Sequence, residues 1–160
     1  MAKVLITYFS RSGNTEKMAE AVAAGARRVA GVEVDLRPVE EVSVDDLPKC
    51  DGIVMGSPVY YGTMAAELKT FIDQSVKYHG KLVGKVGGAF ASSGAIGGGT
   101  ETTVLDIVKA LLIHGMIVQG DSSGSHYGPV AFGAPDAQSV KECEKLGRRV
   151  AELAGKLAGR

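Results

Sequence analysis

A short stretch near the start of the chain, Ser10-Arg11-Ser12-Gly13-Asn14-Thr15, crowds hydroxyl and amide side chains into one turn. The apolar run 4–9 before it predicts a buried strand, and apolar residues at helical spacing over 16–29 predict a helix after it. A strand-to-helix turn presents free backbone N–H groups and the positive end of a helix dipole. The turn is therefore a candidate phosphate site. The alternative is that Asn14 or Thr15 only caps the helix.

This turn does not match the two common nucleotide-binding motifs. It lacks the pattern GxxxxGK[ST], which argues against a nucleoside triphosphate held with Mg²⁺. It also lacks GxGxxG, the fingerprint of ordinary dinucleotide sites. The turn alone favours a phosphate-bearing ligand of another kind.

Two later segments offer related chemistry, and they read Ser57-Pro58-Val59-Tyr60-Tyr61-Gly62 and Ser92-Ser93-Gly94-Ala95-Ile96-Gly97-Gly98-Gly99. The two tyrosine rings could cover a flat aromatic ligand, or they could pack beneath the next helix. The three successive glycines allow backbone N–H groups to approach a ligand closely, the alternative being a flexible connection.

Strand and helix patterns alternate along the whole chain. The predicted strands are 4–9, 32–36, 52–55, 86–91 and 116–118, and the predicted helices are 15–29, 65–77, 100–113 and 137–157, with a short helical turn at 44–47 and a long loop at 120–135. Five strands with crossovers predict right-handed βαβ units and a parallel sheet covered on both faces, which is a doubly wound α/β fold. Ligands bind outside the carboxyl ends of such strands, so the three loops are expected to converge.

Composition narrows the class of protein. The chain has 160 residues and is 45% hydrophobic, which predicts one domain over 1–160. Eighteen basic residues balance eighteen acidic ones, so no nucleic-acid partner is expected. No signal peptide or membrane-spanning run is apparent. Cys50 and Cys143 are isolated, which predicts no metal site and favours a reducing cytoplasm.

Several catalytic classes lack their residues in this sequence. A phosphorylatable receiver domain would carry Asp where the third strand leads into Gly56-Ser57-Pro58, and a cysteine phosphatase would carry Cys in the first loop. No GxSxG elbow follows a strand. Because the chain is short of catalytic side chains, a cofactor is expected to supply the chemistry.

These motifs together resemble a known family. The stretch 10–16 resembles the phosphate loop of the flavodoxin-like FMN proteins, and the rest is most similar to the WrbA-type NAD(P)H:quinone oxidoreductases. The similar segments are Ala2-Lys3-Val4-Leu5, Gly56-Ser57-Pro58-Val59-Tyr60-Tyr61-Gly62, Phe71-Ile72-Asp73-Gln74, the stretch 92–101 and His114-Gly115-Met116. The resemblance implies a flavodoxin-like five-stranded sheet of order 2-1-3-4-5.

The resemblance also implies a role for each loop. Ser10, Arg11, Ser12, Gly13, Asn14 and Thr15 would hold the FMN phosphate; Pro58, Val59, Tyr60, Tyr61 and Gly62 would pass along the isoalloxazine; and Ser92, Ser93, Gly94, Ala95, Ile96, Gly97 and Gly98 would donate hydrogen bonds to its polar edge. His114 matches a histidine beside the flavin, where a near-neutral pKa would suit proton delivery to a quinone. The alternative for His114 is a structural hydrogen bond.

The resemblance implies transfer of two electrons from NADH or NADPH through FMN to a quinone. It also implies a homo-oligomer, either a tetramer or a dimer.

The chain departs from the family at three places. Ser12 replaces an aromatic residue, Tyr60 replaces a basic residue, and an insertion is missing between Val39 and Asp51. The alternative is a flavodoxin-type carrier of single electrons. Against the carrier stands the near-neutral isoelectric point of 6.8, because such carriers are typically strongly acidic.

Overall fold

The computed structural model describes residues 1–159, which form a mainly parallel sheet between two layers of helices. The strands are β1 Ala2–Tyr8, β2 Val32–Pro38, β3 Gly52–Tyr60, β4 Thr63–Met64, β5 Val86–Ser93, β6 Ile117–Val118 and β7 Val130–Phe132. The α-helices are α1 Asn14–Arg27, α2 Ala66–Gln74, α3 Thr100–Ile113 and α4 Ala137–Ala158. Short 3₁₀ turns occur at Val39–Glu41, Val44–Lys49 and Ser75–Tyr78.

The order of the main strands is β2-β1-β3-β5-β6, with all neighbours parallel. The fourth and fifth predicted strands are β5 and β6, so the expected order 2-1-3-4-5 is confirmed. The chain moves outward from β1 to β2, then returns past β1 to β3. The strand order therefore reverses between β1 and β3, and the loops that leave these two strands diverge to opposite faces of the sheet.

The edge of the sheet beside β5 is more complex than predicted. Strand β6 pairs with the start of β5 and β7 pairs with its end, both in parallel, so the fifth position in the sheet holds two short strands. The segment 119–129 leaves the sheet between them. The predicted loop 120–135 thus contains a strand, and three residues were too few to give a recognisable pattern. The predicted helix 65–77 ends at Gln74 and continues as a 3₁₀ turn.

The core lies on both faces of the sheet because alternate side chains of β1 point in opposite directions. Leu5 is fully buried in the layer beneath α2 and α3, whereas Val4 and Ile6 are fully buried in the layer beneath α1 and α4. Phe90 of β5 fills the second layer without any exposed surface. Strands buried on both faces are the reason that the sequence shows continuous apolar runs.

Helices α1 and α4 pack with their backbones in close approach. A side chain at Gly147 would overlap the carbonyl group of Val22, and a side chain at Gly25 would overlap the carbonyl group of Glu144. Backbone atoms cannot move aside as the end of a flexible side chain can. The two glycines therefore set the distance between the helices that support one face of the sheet.

Both cysteines are buried free thiols, and burial raises the pKa of Cys50 to about 11 and that of Cys143 to about 12. Such thiols are mostly protonated at neutral pH, which makes them unreactive. Within residues 1–159, no helix is both long enough and apolar enough to cross a membrane.

Replacing Gly147 by Ala is expected to destabilise the protein by about 1–3 kcal/mol, because overpacking against the Val22 backbone outweighs the gain in helix propensity. Gly155→Ala in the same helix is the matched control, since the nearest atom would lie 3.9 Å from its new methyl group. That variant is expected to be neutral or more stable by up to about 1 kcal/mol. Urea unfolding of both proteins measures the difference, and equal stabilities would contradict the close packing.

Candidate cofactor site

A cavity of about 150 Å³ opens at the carboxyl edge of the sheet, where the loops after β1, β3 and β5 meet. Ten residues line it: Arg11, Ser12, Asn14, Thr15, Pro58, Val59, Tyr60, Ser92, Ser93 and Gly94. All ten are residues that the sequence predicts for the site. The cavity also lies beside the reversal of strand order, where ligands bind in open α/β sheets.

The first loop leaves several donors free. Gly13 adopts a φ of 94°, and the Ser10 hydroxyl accepts hydrogen bonds from the amides of Gly13 at 3.1 Å and Glu16 at 3.3 Å. Within the part of the chain that the structure describes, the amides of Ser12, Asn14 and Thr15 have no hydrogen-bond partner. These N–H groups lie at the start of α1, so the loop can receive an anion.

The capping alternative for this loop is wrong, because neither Asn14 nor Thr15 caps α1. The cap position is Gly13, which has no side-chain cap, and Asn14 and Thr15 are already within the helix. Thr15 instead has its hydroxyl 2.8 Å from the Ser92 hydroxyl, in a contact buried from solvent. This pair of hydroxyls ties the first loop to the end of β5.

The second loop is a β-hairpin, since β3 continues to Tyr60 instead of ending at residue 55. Val59 pairs with Met64 and Tyr60 with Thr63, and the turn residues Tyr61 and Gly62 have φ values of 50° and 85°. Two successive positive φ values are typical of a type I′ turn, which suits the twist of a hairpin. Tyr61 is the only non-glycine residue with positive φ among residues 1–159, and it is fully exposed.

Ser57 holds the hairpin in place, a role that the sequence did not reveal. Its hydroxyl accepts a hydrogen bond from the buried amide of Ala65 at 2.8 Å and donates one to the carbonyl of Pro58, also at 2.8 Å. The sequence around Ser57 shows only a serine directly before a proline. It gives no indication that the hydroxyl would bond to the next residue, Pro58, and to Ala65, eight residues further along the chain.

The two adjacent tyrosines have different surroundings. Tyr60 is half-buried and packs edge-on against Phe9, with ring centroids 6.4 Å apart and an interplanar angle of 76°. The guanidinium carbon of Arg11 lies 5.0 Å from the centroid of the Tyr60 ring. Tyr60 therefore combines packing with a position in the cavity wall, whereas Tyr61 projects into solvent beside the cavity.

The remaining predicted residues of the third loop flank the cavity without lining it, and they are Ala95, Ile96, Gly97 and Gly98. The Gly98 amide donates to the carbonyl of Ala95 at 3.2 Å, which closes a turn. The following Gly99 has a φ of 111°, and a Cβ there would lie 3.2 Å from the backbone of Gly62. This contact brings the third loop against the hairpin.

His114 is not near the other predicted site residues within one chain. Helix α3 begins at Thr100 beside the cavity and has 14 residues, a length of about 21 Å, so its end lies at the opposite edge of the sheet. The Nε2 atom of His114 is 2.7 Å from the Ser75 hydroxyl. Burial, with a smaller effect of nearby His79, lowers the pKa of His114. Within one chain, His114 therefore makes a structural hydrogen bond, which is the alternative to a position beside the flavin.

The segment 119–129 also lies outside the cavity. Asp121 pairs with Arg149 of α4 at 3.2 Å, and buried Glu142 of α4 accepts a hydrogen bond from the amide of Ser125 at 3.1 Å. These contacts hold the segment against α4, so it is a surface loop that does not cover the cavity.

Comparison with known proteins identifies the family. The sequence profile described as the flavodoxin domain matches residues 5–111, about two thirds of the chain. The chain belongs to the flavodoxin family. A flavodoxin domain implies a flavin cofactor, and the carboxyl edge described above has the free amides, hydroxyls and aromatic rings that a phosphate-bearing flavin requires.

Similar flavodoxin-family proteins carry two kinds of name. A flavodoxin of Aquifex aeolicus is 42% identical over 160 positions, covering 95% of this chain and 86% of that protein. An NAD(P)H dehydrogenase (quinone) of Chromohalobacter salexigens is 35% identical over 201 positions, covering 99% and 100%. The crystal structure of a WrbA-like flavodoxin from Agrobacterium tumefaciens superposes with a TM-score of 0.79 at 28% identity, covering 98% and 99%. The resemblance to flavodoxin-like and WrbA-type proteins is thus confirmed.

Ser57→Ala is expected to lower the free energy of unfolding by about 1–3 kcal/mol, because the buried amide of Ala65 would lose its acceptor. Ser12→Ala is the control, since Ser12 is exposed and its hydroxyl takes part in none of the side-chain hydrogen bonds that the first loop makes among residues 1–159. Urea unfolding of the cofactor-free proteins is the measurement. If both variants matched the parent protein, Ser57 would not be the residue that anchors the hairpin.

Proposed function

We propose that this flavodoxin-family chain binds FMN and transfers two electrons from NADH or NADPH to a quinone. The observation that carries the proposal is the convergence of three loops on one cavity beside the strand-order reversal, lined by hydroxyls, backbone amides, Tyr60 and Arg11. No carboxylate lines that cavity in the described part of the chain. A site without negative charge is suited to anionic nucleotides.

The roles of the residues follow from their positions. The unpartnered amides of Ser12, Asn14 and Thr15 would hold the FMN phosphate at the start of α1, and the hairpin 58–62 and the loop 92–98 would border its ring. When bound, FMN supplies the ring that accepts a hydride and passes on an electron pair. The buried hydroxyl contacts of Thr15 with Ser92 and of Ser57 with Ala65 fix the loops before any ligand arrives.

The relative named NAD(P)H dehydrogenase (quinone) supports this activity, as does the balanced charge of the chain. The second candidate is a single-electron carrier, which the flavodoxin of Aquifex aeolicus favours with its higher identity. The alignment with that flavodoxin spans 160 positions, equal to the length of this chain, whereas the alignment with the quinone dehydrogenase spans 201 and therefore contains more gaps.

We propose a cytoplasmic location for the chain. The two buried, protonated thiols are compatible with it.

We also propose that the chain forms a homo-oligomer, a dimer or a tetramer. Val76, Val83 and Ile113 are 69%, 68% and 72% exposed, and Val76 and Ile113 share a surface depression with His79 and His114. A face of this kind on a water-soluble domain favours contact with another protein surface. Because His114 is about 21 Å along α3 from the cavity of its own chain, a role beside a flavin would require a second chain.

Anaerobic titration of the FMN-loaded protein with NADH and then NADPH tests the reductase. The flavin absorbance band is expected to bleach directly to the fully reduced form and to return on addition of benzoquinone, because both substrates exchange two electrons at the same ring. If neither nucleotide bleaches the band and dithionite produces a stable semiquinone, the activity is that of the carrier.

Ile113→Glu is expected to shift the protein to a smaller species in size-exclusion chromatography with light scattering, because a charge cannot be buried without a partner. Tyr127→Glu is the control, since Tyr127 is 54% exposed but lies in the segment 119–129, away from this face. A monomeric parent protein, or an Ile113→Glu variant of unchanged mass, would contradict an oligomer formed through this face.

A further inference from the structure

The cavity has one positively charged side chain, that of Arg11. Its guanidinium carbon lies 5.0 Å from the centroid of the Tyr60 ring, across the cavity from the loop to which Arg11 belongs. Arg11 is exposed, and no carboxylate of residues 1–159 lies within 4 Å of it. The cavity rim therefore carries an uncompensated positive charge.

The position of this charge is defined by packing. The Tyr60 ring beneath the guanidinium packs edge-on against Phe9, which is 8% exposed and belongs to the core. A cation over the face of an aromatic ring is stabilised by about 0.5–1 kcal/mol at an exposed site. Tyr60 thus supports Arg11 on a rigid surface, which lowers the loss of side-chain freedom when Arg11 binds a ligand.

The resemblance implies that Arg11 holds the FMN phosphate with the rest of the first loop, but the position of its side chain over Tyr60 favours a different role. The amides of Ser12, Asn14 and Thr15 at the start of α1 have no partner among residues 1–159 and can hold that phosphate themselves, whereas the Arg11 guanidinium lies over the ring of Tyr60 in the neighbouring hairpin. A planar guanidinium with five N–H donors is well matched to a phosphate group. Arg11 is therefore free to bind a second anionic ligand at the mouth of the cavity.

We propose that Arg11, supported by Tyr60, binds a phosphate group of the nicotinamide nucleotide that reduces the flavin. This inference rests on the proposed function. The phosphate is either the 2′-phosphate, which only NADPH carries, or the pyrophosphate that NADPH and NADH share. Because the protein has no net charge, this local cation, and not a long-range field, would set the affinity for the nucleotide.

The test uses the FMN-loaded protein, with oxidised NADP⁺ and NAD⁺ as ligands in isothermal titration calorimetry, so that binding is measured without turnover. The variants are Arg11→Gln, which removes the charge, Arg11→Lys, which keeps it, and Arg27→Gln. Arg27 is an exposed residue in the last turn of α1, so its variant changes the net charge equally at a distance.

Arg11→Gln is expected to raise the Kd of NADP⁺ about 10-fold, the effect of losing one charge-assisted hydrogen bond. Arg11→Lys is expected to retain most of the affinity, and Arg27→Gln all of it. The Kd of FMN is expected to change less than about 2-fold in every variant, within the scatter of such contributions. In turnover, Arg11→Gln is expected to raise KM for NADPH with little change in kcat, because the contact is the same in the bound and reacting states.

Weakening of NADP⁺ binding alone assigns the 2′-phosphate, and equal weakening of NADP⁺ and NAD⁺ assigns the pyrophosphate. Two results would overturn the inference about Arg11 and leave the proposed reductase standing. In the first, NADPH reduces the parent protein but Arg11→Gln binds the nucleotide as tightly as the parent does. In the second, Arg11→Gln loses affinity for FMN but not for the nucleotide. A parent protein that neither binds NADP⁺ nor is reduced by NADPH would overturn the proposed reductase together with this inference.

Discussion

The reversal of strand order between β1 and β3 is the constraint on which the rest of the structure depends. Parallel strands point their carboxyl ends to one edge, and the reversal sends the loops after β1 and β3 to opposite faces, which leaves a gap between them. The gap is the cavity lined by residues of three loops. Without this reversal, adjacent crossovers would cover the carboxyl edge, and the free amides at the start of α1 would have no open space before them.

The cavity combines a rigid base with exposed upper elements. Its base consists of buried polar contacts: the Thr15 and Ser92 hydroxyls join two loops, and Ser57 satisfies the amide of Ala65. Buried hydroxyls without partners would be costly, so each contact also fixes the loop that carries it. Tyr61 and Ile96 lie beside the cavity and are almost wholly exposed. Apolar groups in such a position lose unfavourable contact with water when a planar ligand arrives.

The relatives of this chain carry the names of two different activities. The three loops form the cavity whichever activity the chain has, whereas the choice between hydride transfer and single-electron transfer depends on which partner can reach the cavity. The charge at the cavity rim of this chain is therefore informative about that partner. A site whose lining includes Arg11 and no carboxylate favours a phosphate-bearing substrate, whereas a carrier that docks by surface charge needs a strongly charged exterior.

Much of the fold, and the convergence of three loops on one cavity, could be predicted from the sequence. The pattern of strands and helices depends on local periodicity, so the sequence predicts the five main strands and the four helices, although β3 continues to Tyr60 beyond its predicted end at residue 55. Glycines and hydroxyls at strand ends also indicated three loops that would converge, and residues of all three line the cavity, whereas their roles toward FMN stay predictions. The strand β7 was missed, since its three residues form a strand only through pairing with β5.

What only the tertiary structure decided were relations between residues distant in sequence. The hydrogen bonds of Ser57, the packing of Arg11 on Tyr60 and the contact of Thr15 with Ser92 join different loops, and no spacing along the chain encodes them. The position of His114 was decided in the same way. A helix of 14 residues separates it from the cavity, and the straight rise of that helix carries it to the opposite edge of the sheet. Local sequence sets the type of each element, whereas packing sets where its ends lie.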